Sequence, residues 1–212
     1  MNLRIYEIFF SIQGESSRVG LPTVFIRLTG CPLRCGYCDT EYAFSGGTNK
    51  SFDEILSEVR QYKTSYICVT GGEPLAQKAS IGLLKLLCDN GYSVSLETSG
   101  AMDISEVDQS VSVIMDIKTP GSGESAKNLW SNLKLLKEKD EVKFVLCNRE
   151  DYEWSRDVIT KSISKEKCNI LFSPAYNQLN PAELAEWILQ DNLPVRMQIQ
   201  MHKVLWGEKP GV

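Results

Sequence analysis

The chain has 212 residues, of which 42% are apolar and 24% charged, with a formal net charge of -4. This is the composition of a globular protein that can bury a core without disulfides, and its charge disfavours a nucleic-acid surface. No run approaches the roughly 18 apolar residues of a membrane helix, and the first residues do not resemble a signal peptide. We therefore expect a cytoplasmic protein with a single domain over residues 1–212.

Strands and helices alternate along the chain. Helices are expected from the capping box Ser51–Glu54, over residues 81–89, 126–137 and 151–162, and from Asn180–Pro181 to residue 190. Strands are expected at residues 5–10, 23–29, 66–69, 93–96, 111–117, 142–147, 169–172 and 195–201. The pattern predicts an α/β fold with a parallel sheet. A complete eightfold barrel takes about 250 residues, so we predict an incomplete (β/α) barrel with ligands at the carboxyl ends of its strands.

Three of the seven cysteines form a C-x3-C-x2-C loop directly after the second expected strand: Cys31, Cys35 and Cys38. Three thiolates can hold three irons of a [4Fe–4S] cluster and leave the fourth iron open to a chelating ligand. The alternative is a zinc site, which usually takes four ligands and would need Cys68 or His202 as the fourth. The remaining cysteines (Cys68, Cys88, Cys147 and Cys168) have apolar neighbours and are expected to be small core residues.

The cysteine loop and the later Gly71-Gly72-Glu73-Pro74 segment resemble the radical S-adenosylmethionine (SAM) superfamily. The resemblance implies a modified, incomplete TIM barrel in which the open iron binds SAM, whose reductive cleavage yields a 5′-deoxyadenosyl radical. It also implies that Glu73 accepts the amino group of SAM and that Tyr37 packs near the adenine. The residues expected to line SAM are Tyr37, Cys38, Asp39, Gly72, Glu73, Ser99, Asp116, Ile117 and Lys118.

Several polar residues go beyond the superfamily pattern. The amide of Gln13 and the carboxylate of Glu15 match the mixed donor and acceptor edge of a pterin or guanine. Arg27 lies on the strand face opposite Val24 and Ile26, where its guanidinium suits a substrate carboxylate, unless a structural acid pairs with it. His202 is the only histidine, and a lone histidine is more often structural than catalytic.

Together, the segments SIQGES, FIRLTGCPLRCGYCDT, VTGGEP and QMHK resemble the 7-carboxy-7-deazaguanine synthase family over nearly the whole chain. The resemblance implies a homodimer that converts 6-carboxy-5,6,7,8-tetrahydropterin to 7-carboxy-7-deazaguanine with loss of ammonia, uses SAM catalytically, and is assisted by Mg²⁺ at Thr40. It implies an external electron donor, a flavodoxin or ferredoxin, and no catalytic side chain, since the cofactor carries the radical. The substrate-binding residues it implies are Ile12, Gln13, Gly14, Glu15, Arg27, Thr70, Gly71 and His202.

Two other functions compete with this interpretation. A radical-activating enzyme that makes a glycyl radical on a partner protein shares the cysteine loop but needs no small-molecule pocket. A non-catalytic iron–sulfur or zinc protein needs neither SAM nor a substrate. The first is distinguished by whether Gln13, Glu15, Arg27 and Thr40 converge on a pocket beside the cysteines.

Overall fold

The computed structural model describes residues 1–163 and 168–212. Within these ranges the strands form one nine-stranded sheet in the order β3-β1-β2-β4-β5-β6-β7-β8-β9. The strands are β1 (Asn2–Ile12), β2 (Pro22–Leu28), β3 (Thr48–Ser51), β4 (Tyr66–Gly71), β5 (Ser93–Thr98), β6 (Ser112–Ile117), β7 (Glu141–Leu146), β8 (Asn169–Pro174) and β9 (Arg196–Met197). The α-helices are α1 (Phe52–Val59), α2 (Ser80–Asp89), α3 (Arg149–Ser162), α4 (Pro181–Gln190) and α5 (Met201–Trp206).

The two ends of the strands are covered by different parts of the chain. Strands β2 and β4 to β9 are parallel, whereas β1 runs antiparallel to β2 and β3. The carboxyl ends of the parallel strands therefore share one end, here called the mouth. The turn between β1 and β2, residues 13–21, lies at the opposite end and is here called the floor.

Contacts of the floor show that the sheet curls into an incomplete barrel. The backbone N–H of Ser17 donates to the Glu141 carboxylate at the start of β7, at 3.0 Å. Arg18 donates to the carbonyl of Ser93 at the start of β5, at 2.9 Å. A flat sheet would hold these strands far from the β1–β2 turn, so the floor crosses the concave side. The predicted partial barrel is confirmed.

The core lies between the sheet and the helices on its convex face. α1 begins with the predicted capping box, in which the Ser51 hydroxyl accepts from the Glu54 backbone and the Glu54 carboxylate accepts from the Ser51 backbone. α4 begins with proline at its first turn and Asn180 as its N-cap, also as predicted. Tyr152 of α3 packs edge to face on Phe172 of β8, with ring centroids 5.9 Å apart.

The predicted helix over residues 126–137 is wrong. The segment instead forms two short 3-10 helices, Ser125–Lys127 and Trp130–Lys134. The Asn128 side chain bonds both the N–H and the carbonyl of Lys118, each at 2.9 Å. The Asn132 side chain bonds the carbonyls of Gly100 and Met102. Such amides compete with the helical hydrogen-bond ladder and tie the segment to its neighbours.

The strand expected at residues 195–201 is also too long. β9 covers only Arg196–Met197, and α5 begins at Met201. The chain leaves the sheet because its polar groups bond the floor: Ser16 N–H donates to the Gln198 side chain at 2.8 Å, and Met201 N–H donates to the Gly14 carbonyl at 3.0 Å. β3 was not predicted, since this polar edge strand lacks apolar alternation.

Two of the isolated cysteines, Cys68 and Cys168, are buried as expected, whereas Cys88 and Cys147 are half-buried. Throughout residues 1–163 and 168–212, no helix has the length and apolar character needed to cross a membrane.

Candidate active site

A cavity of about 520 Å³ runs inside the barrel between the mouth and the floor. It contains residues from both predicted sets, the one for SAM and the cluster and the one for the substrate. The predicted site residues that line it are Ile12, Gln13, Gly14, Glu15, Arg27, Cys31, Cys35, Tyr37, Cys38, Asp39, Thr40, Thr70, Gly71, Gly72, Ser99, Asp116, Lys118 and His202. Glu73 and Ile117 are the two predicted residues that do not line it.

Backbone hydrogen bonds from several elements hold the cysteine loop at the mouth. Gly30 N–H donates to the Ala43 carbonyl at 2.9 Å, and Gly36 N–H donates to the Ser122 carbonyl at 3.0 Å. The ammonium of Lys127 donates to the Pro32 carbonyl at 3.0 Å. The loop conformation is therefore fixed by the surrounding protein.

Burial and a nearby cation act in opposite directions on the pKa values of the three thiols. Burial raises the pKa of Cys31, Cys35 and Cys38, and the ammonium of Lys118 acts on all three in the opposite direction. Iron would displace the thiol protons, because thiolates are the ligands. Within the described residues no three His, Cys, Asp or Glu side chains converge on a single metal ion. A [4Fe–4S] cluster does not need that convergence, since each cysteine binds a different iron.

Gly72 makes the close approach between β4 and the cysteine loop possible. A Cβ at this position would overlap the Gly30 carbonyl oxygen and stand 2.6 Å from the Cβ of Cys31. The next N–H, that of Glu73, donates to the same Gly30 carbonyl at 2.9 Å. The residues present therefore fit a cluster and a chelating ligand: three half-buried thiols beside a glycine cradle, in a cavity that reaches the floor.

Glu73, which was expected to accept a ligand ammonium, lies outside the cavity lining, and its carboxylate accepts from protein donors. Glu73 is fully buried, and its oxygens accept hydrogen bonds from Thr98 Oγ1 at 3.0 Å, Ser99 N–H at 2.7 Å and Leu75 N–H at 2.9 Å. The Ser99 hydroxyl also donates to it. Its oxygens are thus committed to protein donors, and Glu73 instead orients Ser99, which does line the cavity.

The side chain of Ile117, the other predicted residue outside the cavity lining, packs in the hydrophobic core on the outer side of β6. Strand alternation puts Asp116 and Ile117 on opposite faces of the sheet. Asp116 faces the cavity, where its carboxylate lies 3.1 Å from the ammonium of Lys118. Burial alone would lower the pKa of Lys118, but the nearby Asp116 and Cys35 together outweigh it and raise the pKa, so Lys118 is a cation near the thiols.

At the floor end, Glu15 forms a buried ion pair that the sequence did not suggest. Its carboxylate lies 2.7 Å from the ammonium of Lys143 on β7 and accepts from Gln200 Nε2 at 2.9 Å. Burial would raise the pKa of Glu15, but Lys143 outweighs it and lowers the pKa to about 2. Glu15 is therefore an anion, and Lys143 already balances its charge.

Arg27 pairs with a structural acid, one of the two alternatives that sequence analysis left open, and it also lines the cavity. Its Nε donates to the Glu7 carboxylate at 2.7 Å, which is the structural acid. Its guanidinium carbon lies 5.5 Å from the centroid of the Phe9 ring, and the side chain lines the cavity. Only Nε has a hydrogen-bond acceptor among the described residues, so the terminal nitrogens remain for a ligand.

His202 meets the floor even though it is remote in sequence. A Cβ on Gly14 would overlap the His202 ring, so this glycine permits the contact. The side chain of Gln200 joins the two ends of the cavity, because its Nε2 bonds Glu15 at the floor and Asp39 of the cysteine loop, at 3.3 Å. α5 thus brings the C-terminal part of the chain against both ends of the site.

Sequence analysis missed several cavity residues. The most polar of them are Glu97, Lys143, Gln200 and Lys203, and an aromatic one is Tyr176. Lys143 and Glu97 are charged residues inside largely buried strands, and a charge at an inward position of a buried strand is a signal that could have found them. Gln200 carried no such signal, since residues 195–201 were expected to form a strand, whereas Gln200 is the N-cap of α5.

Comparisons with known proteins agree with this geometry. Residues 25–118 match the model of the radical SAM superfamily. The 7-carboxy-7-deazaguanine synthase of Chlorobaculum tepidum is 46% identical over 208 residues, which are 97% of this chain and 94% of that protein. The same-named protein of Koribacter versatilis is 40% identical, over 96% of this chain and 97% of that one.

Solved structures support the fold. The crystal structure of QueE from Escherichia coli superposes with a TM-score of 0.78 at 24% identity and covers 95% of each chain. The crystal structure of Streptococcus suis SuiB gives a TM-score of 0.55 at 14% identity, over 81% of this chain and 47% of that one.

Proposed function

Since the chain belongs to the 7-carboxy-7-deazaguanine synthase family of the radical SAM superfamily, we propose that it converts 6-carboxy-5,6,7,8-tetrahydropterin to 7-carboxy-7-deazaguanine with loss of ammonia. It is a carbon–nitrogen lyase that serves 7-deazapurine biosynthesis, such as that of queuosine. One domain, residues 1–212, carries the whole site.

The observation that supports this proposal most strongly is the continuous cavity. It joins the three cysteines at the mouth to Gln13, Glu15 and the free end of Arg27. This is the property that distinguishes a small-molecule enzyme from an activating enzyme, whose substrate is a loop of another protein.

The family implies a [4Fe–4S] cluster and SAM, which when bound supply the radical chemistry of the reaction. Cys31, Cys35 and Cys38 would hold the cluster, and the mouth would enclose SAM. We propose that SAM is lined by Tyr37, Asp39, Gly72, Ser99, Asp116 and Lys118. The side chains of Glu73 and Ile117 lie behind these residues. The protein's task is to hold two ligands in contact and to exclude water from them.

The substrate is proposed to occupy the inner part of the cavity, between Arg27 and the floor. The terminal nitrogens of Arg27 suit the substrate carboxylate in bidentate geometry. The rings of Phe9 and Phe25 stack 4.9 Å apart at the cavity wall and offer an apolar surface to a flat heterocycle. Further substrate contacts are proposed from Ile12, Gln13, Gly14, Glu15, Thr70, Gly71 and His202.

We propose a Mg²⁺ ion at Thr40, between the protein and the substrate carboxylate. The Thr40 hydroxyl lines the cavity and lies 2.8 Å from the carboxylate of Asp39, so two neighbouring oxygens are present as candidate metal ligands. Magnesium prefers oxygen ligands and keeps several positions for water or substrate. Omission of Mg²⁺ should lower turnover, with partial recovery by Mn²⁺.

A homodimer is a further proposal, supported by exposed apolar side chains in the last helix. Val204, Leu205 and Trp206 are 68%, 53% and 37% exposed. Light scattering coupled to size-exclusion chromatography tests it. We also propose a cytoplasmic location, where thiols stay reduced, and a flavodoxin or ferredoxin as the one-electron donor.

The direct test is an anaerobic assay. The cluster is reconstituted, and SAM, Mg²⁺, reductant and 6-carboxy-5,6,7,8-tetrahydropterin are added. Mass spectrometry should detect 7-carboxy-7-deazaguanine with little net consumption of SAM. Cleavage of SAM to 5′-deoxyadenosine without this product would retain the superfamily and contradict the substrate.

A further inference from the structure

Strand β1 contains a bulge that changes which face of the sheet its side chains occupy. Leu3 and Ile5 pack in the hydrophobic core, and Ile8, three residues further along, packs against the same core. A regular strand would return to that face after two residues, at Glu7. The pairing of β1 with β2 shifts between Ile5 and Glu7, so Tyr6 is the extra residue of a β-bulge. Without this bulge the carboxylate of Glu7 would point into the core.

The bulge places Glu7 directly across from Arg27 on the concave face of the sheet. The two residues are register partners in the antiparallel pair of β1 and β2. The Glu7 carboxylate accepts from Arg27 Nε at 2.7 Å, and the same oxygen accepts from the Tyr42 hydroxyl at 3.3 Å. Arg27 lines the cavity, whereas Glu7 does not. Glu7 therefore acts on a ligand of the cavity only through Arg27.

Two aromatic rings limit the remaining freedom of the Arg27 guanidinium. Its central carbon lies 5.5 Å from the centroid of the Phe9 ring and 5.7 Å from the centroid of the Tyr42 ring. The guanidinium is planar, so a hydrogen bond at Nε fixes the direction in which both terminal nitrogens point. An arginine side chain ordinarily loses rotamer freedom when it binds an anion. At Arg27 much of that freedom is already removed before a ligand binds.

We propose that Glu7 is a positioning residue that directs the terminal nitrogens of Arg27 towards the carboxylate of the substrate. Glu7 thereby sets how strongly the cavity prefers a carboxylated pterin over a pterin without the carboxylate. This inference rests on the proposed function, because it takes Arg27 as the group that binds the substrate carboxylate. A purely structural ion pair would only hold β1 against β2, and its loss would weaken the binding of both pterins equally.

Two ligands separate these roles: 6-carboxypterin, which carries the carboxylate, and pterin, which lacks it. Calorimetry on the cluster-reconstituted, SAM-bound protein, at constant Mg²⁺ concentration, measures both dissociation constants. The wild type should bind 6-carboxypterin more tightly than pterin. E7A should weaken the binding of 6-carboxypterin about tenfold, as expected when one long side chain must be ordered on binding, and should change the affinity for pterin less than about twofold.

The isosteric variant E7Q separates the hydrogen bond of Glu7 from its charge. The glutamine carbonyl still accepts from Arg27 Nε, and no negative charge opposes the substrate carboxylate. E7Q should therefore bind 6-carboxypterin at least as tightly as the wild type does. The matched control is E58A, which removes a carboxylate that pairs with Lys50 outside the cavity and should change neither affinity.

Three results would overturn the inference: an E7A protein that keeps the wild-type preference for 6-carboxypterin, an E7A protein that loses affinity for both ligands equally, or an E7Q protein that loses the preference. If E7A does not retain the cluster and SAM, the E7Q measurement decides alone. The turnover assay remains separate. A wild type without product contradicts the proposed function, whereas a wild type that makes product beside an E7A protein of unchanged preference contradicts only the role of Glu7.

Discussion

The mouth and the floor of the cavity are built in opposite ways. At the floor, each charged side chain has a protein partner: Glu15 pairs with Lys143, Glu141 accepts from Ser17 N–H, and Arg18 donates to the Ser93 carbonyl. At the mouth, the thiols of Cys31, Cys35 and Cys38 are half-buried, and burial raises their pKa. The comparison indicates that the floor is complete from protein groups alone, while the mouth is completed by its cofactor.

The largest effect is expected from removal of a cluster ligand. C35S should abolish both product formation and the visible absorbance of the reconstituted cluster, because one iron loses its thiolate. The control is C88S, at a half-buried cysteine of α2 that faces away from the cavity. Full iron content in C35S would contradict the assignment of the mouth.

A large but incomplete loss is expected from G72A. The added methyl would overlap the Gly30 carbonyl, and backbone at both sides leaves little room to yield. Turnover should fall at least about tenfold, with weaker SAM binding measured by calorimetry. G82A is the matched control, since its Cβ would meet only the Phe52 ring, at 3.2 Å, and the more distant Met1 side chain. Equal activity in the two variants would show that the cysteine loop tolerates displacement.

Substitutions at the floor should lower the free energy of unfolding. K143M leaves Glu15 buried without its cation, and breaking a buried pair costs about 3–5 kcal/mol. Urea unfolding of the apoprotein should show this loss, and the double variant K143M/E15Q should recover part of it. K161M removes an exposed partner of Asp157 and should leave the free energy of unfolding almost unchanged. Additive losses in the double variant would argue against coupling of Glu15 and Lys143.

A smaller effect on the free energy of unfolding is expected when the pH is lowered. The pKa of Glu15 falls from its ordinary 4.5 to about 2 in the folded protein. A lowered folded-state pKa gives stability that is present above pH 4.5 and is lost as the pH falls towards 2. The wild type should exceed E15Q by about 3 kcal/mol near neutral pH, and the difference should shrink below pH 4.5. A pH-independent difference between the two proteins would contradict the ion pair.

The mouth was more predictable from the sequence than the floor. Cysteine spacing and the Gly71–Gly72 pair are local motifs, so short stretches of sequence are enough to assign Cys31 and Gly72 to the mouth. The floor depends on contacts between distant segments, such as Glu15 with Lys143, and no local pattern encodes them. The same limit explains the error at residues 126–137, where two asparagine side chains bond other segments. The burial of Glu73 behind Ser99 was also not predictable, because a motif does not show which way a carboxylate points.

Hydrogen exchange of the apoprotein and of the cluster- and SAM-loaded protein tests the contrast between the two ends most directly. Residues 30–40 and 71–73 should gain protection on loading, whereas residues 13–18 should be equally protected in both forms. A floor that is unprotected in the apoprotein and becomes protected only on loading would contradict the account.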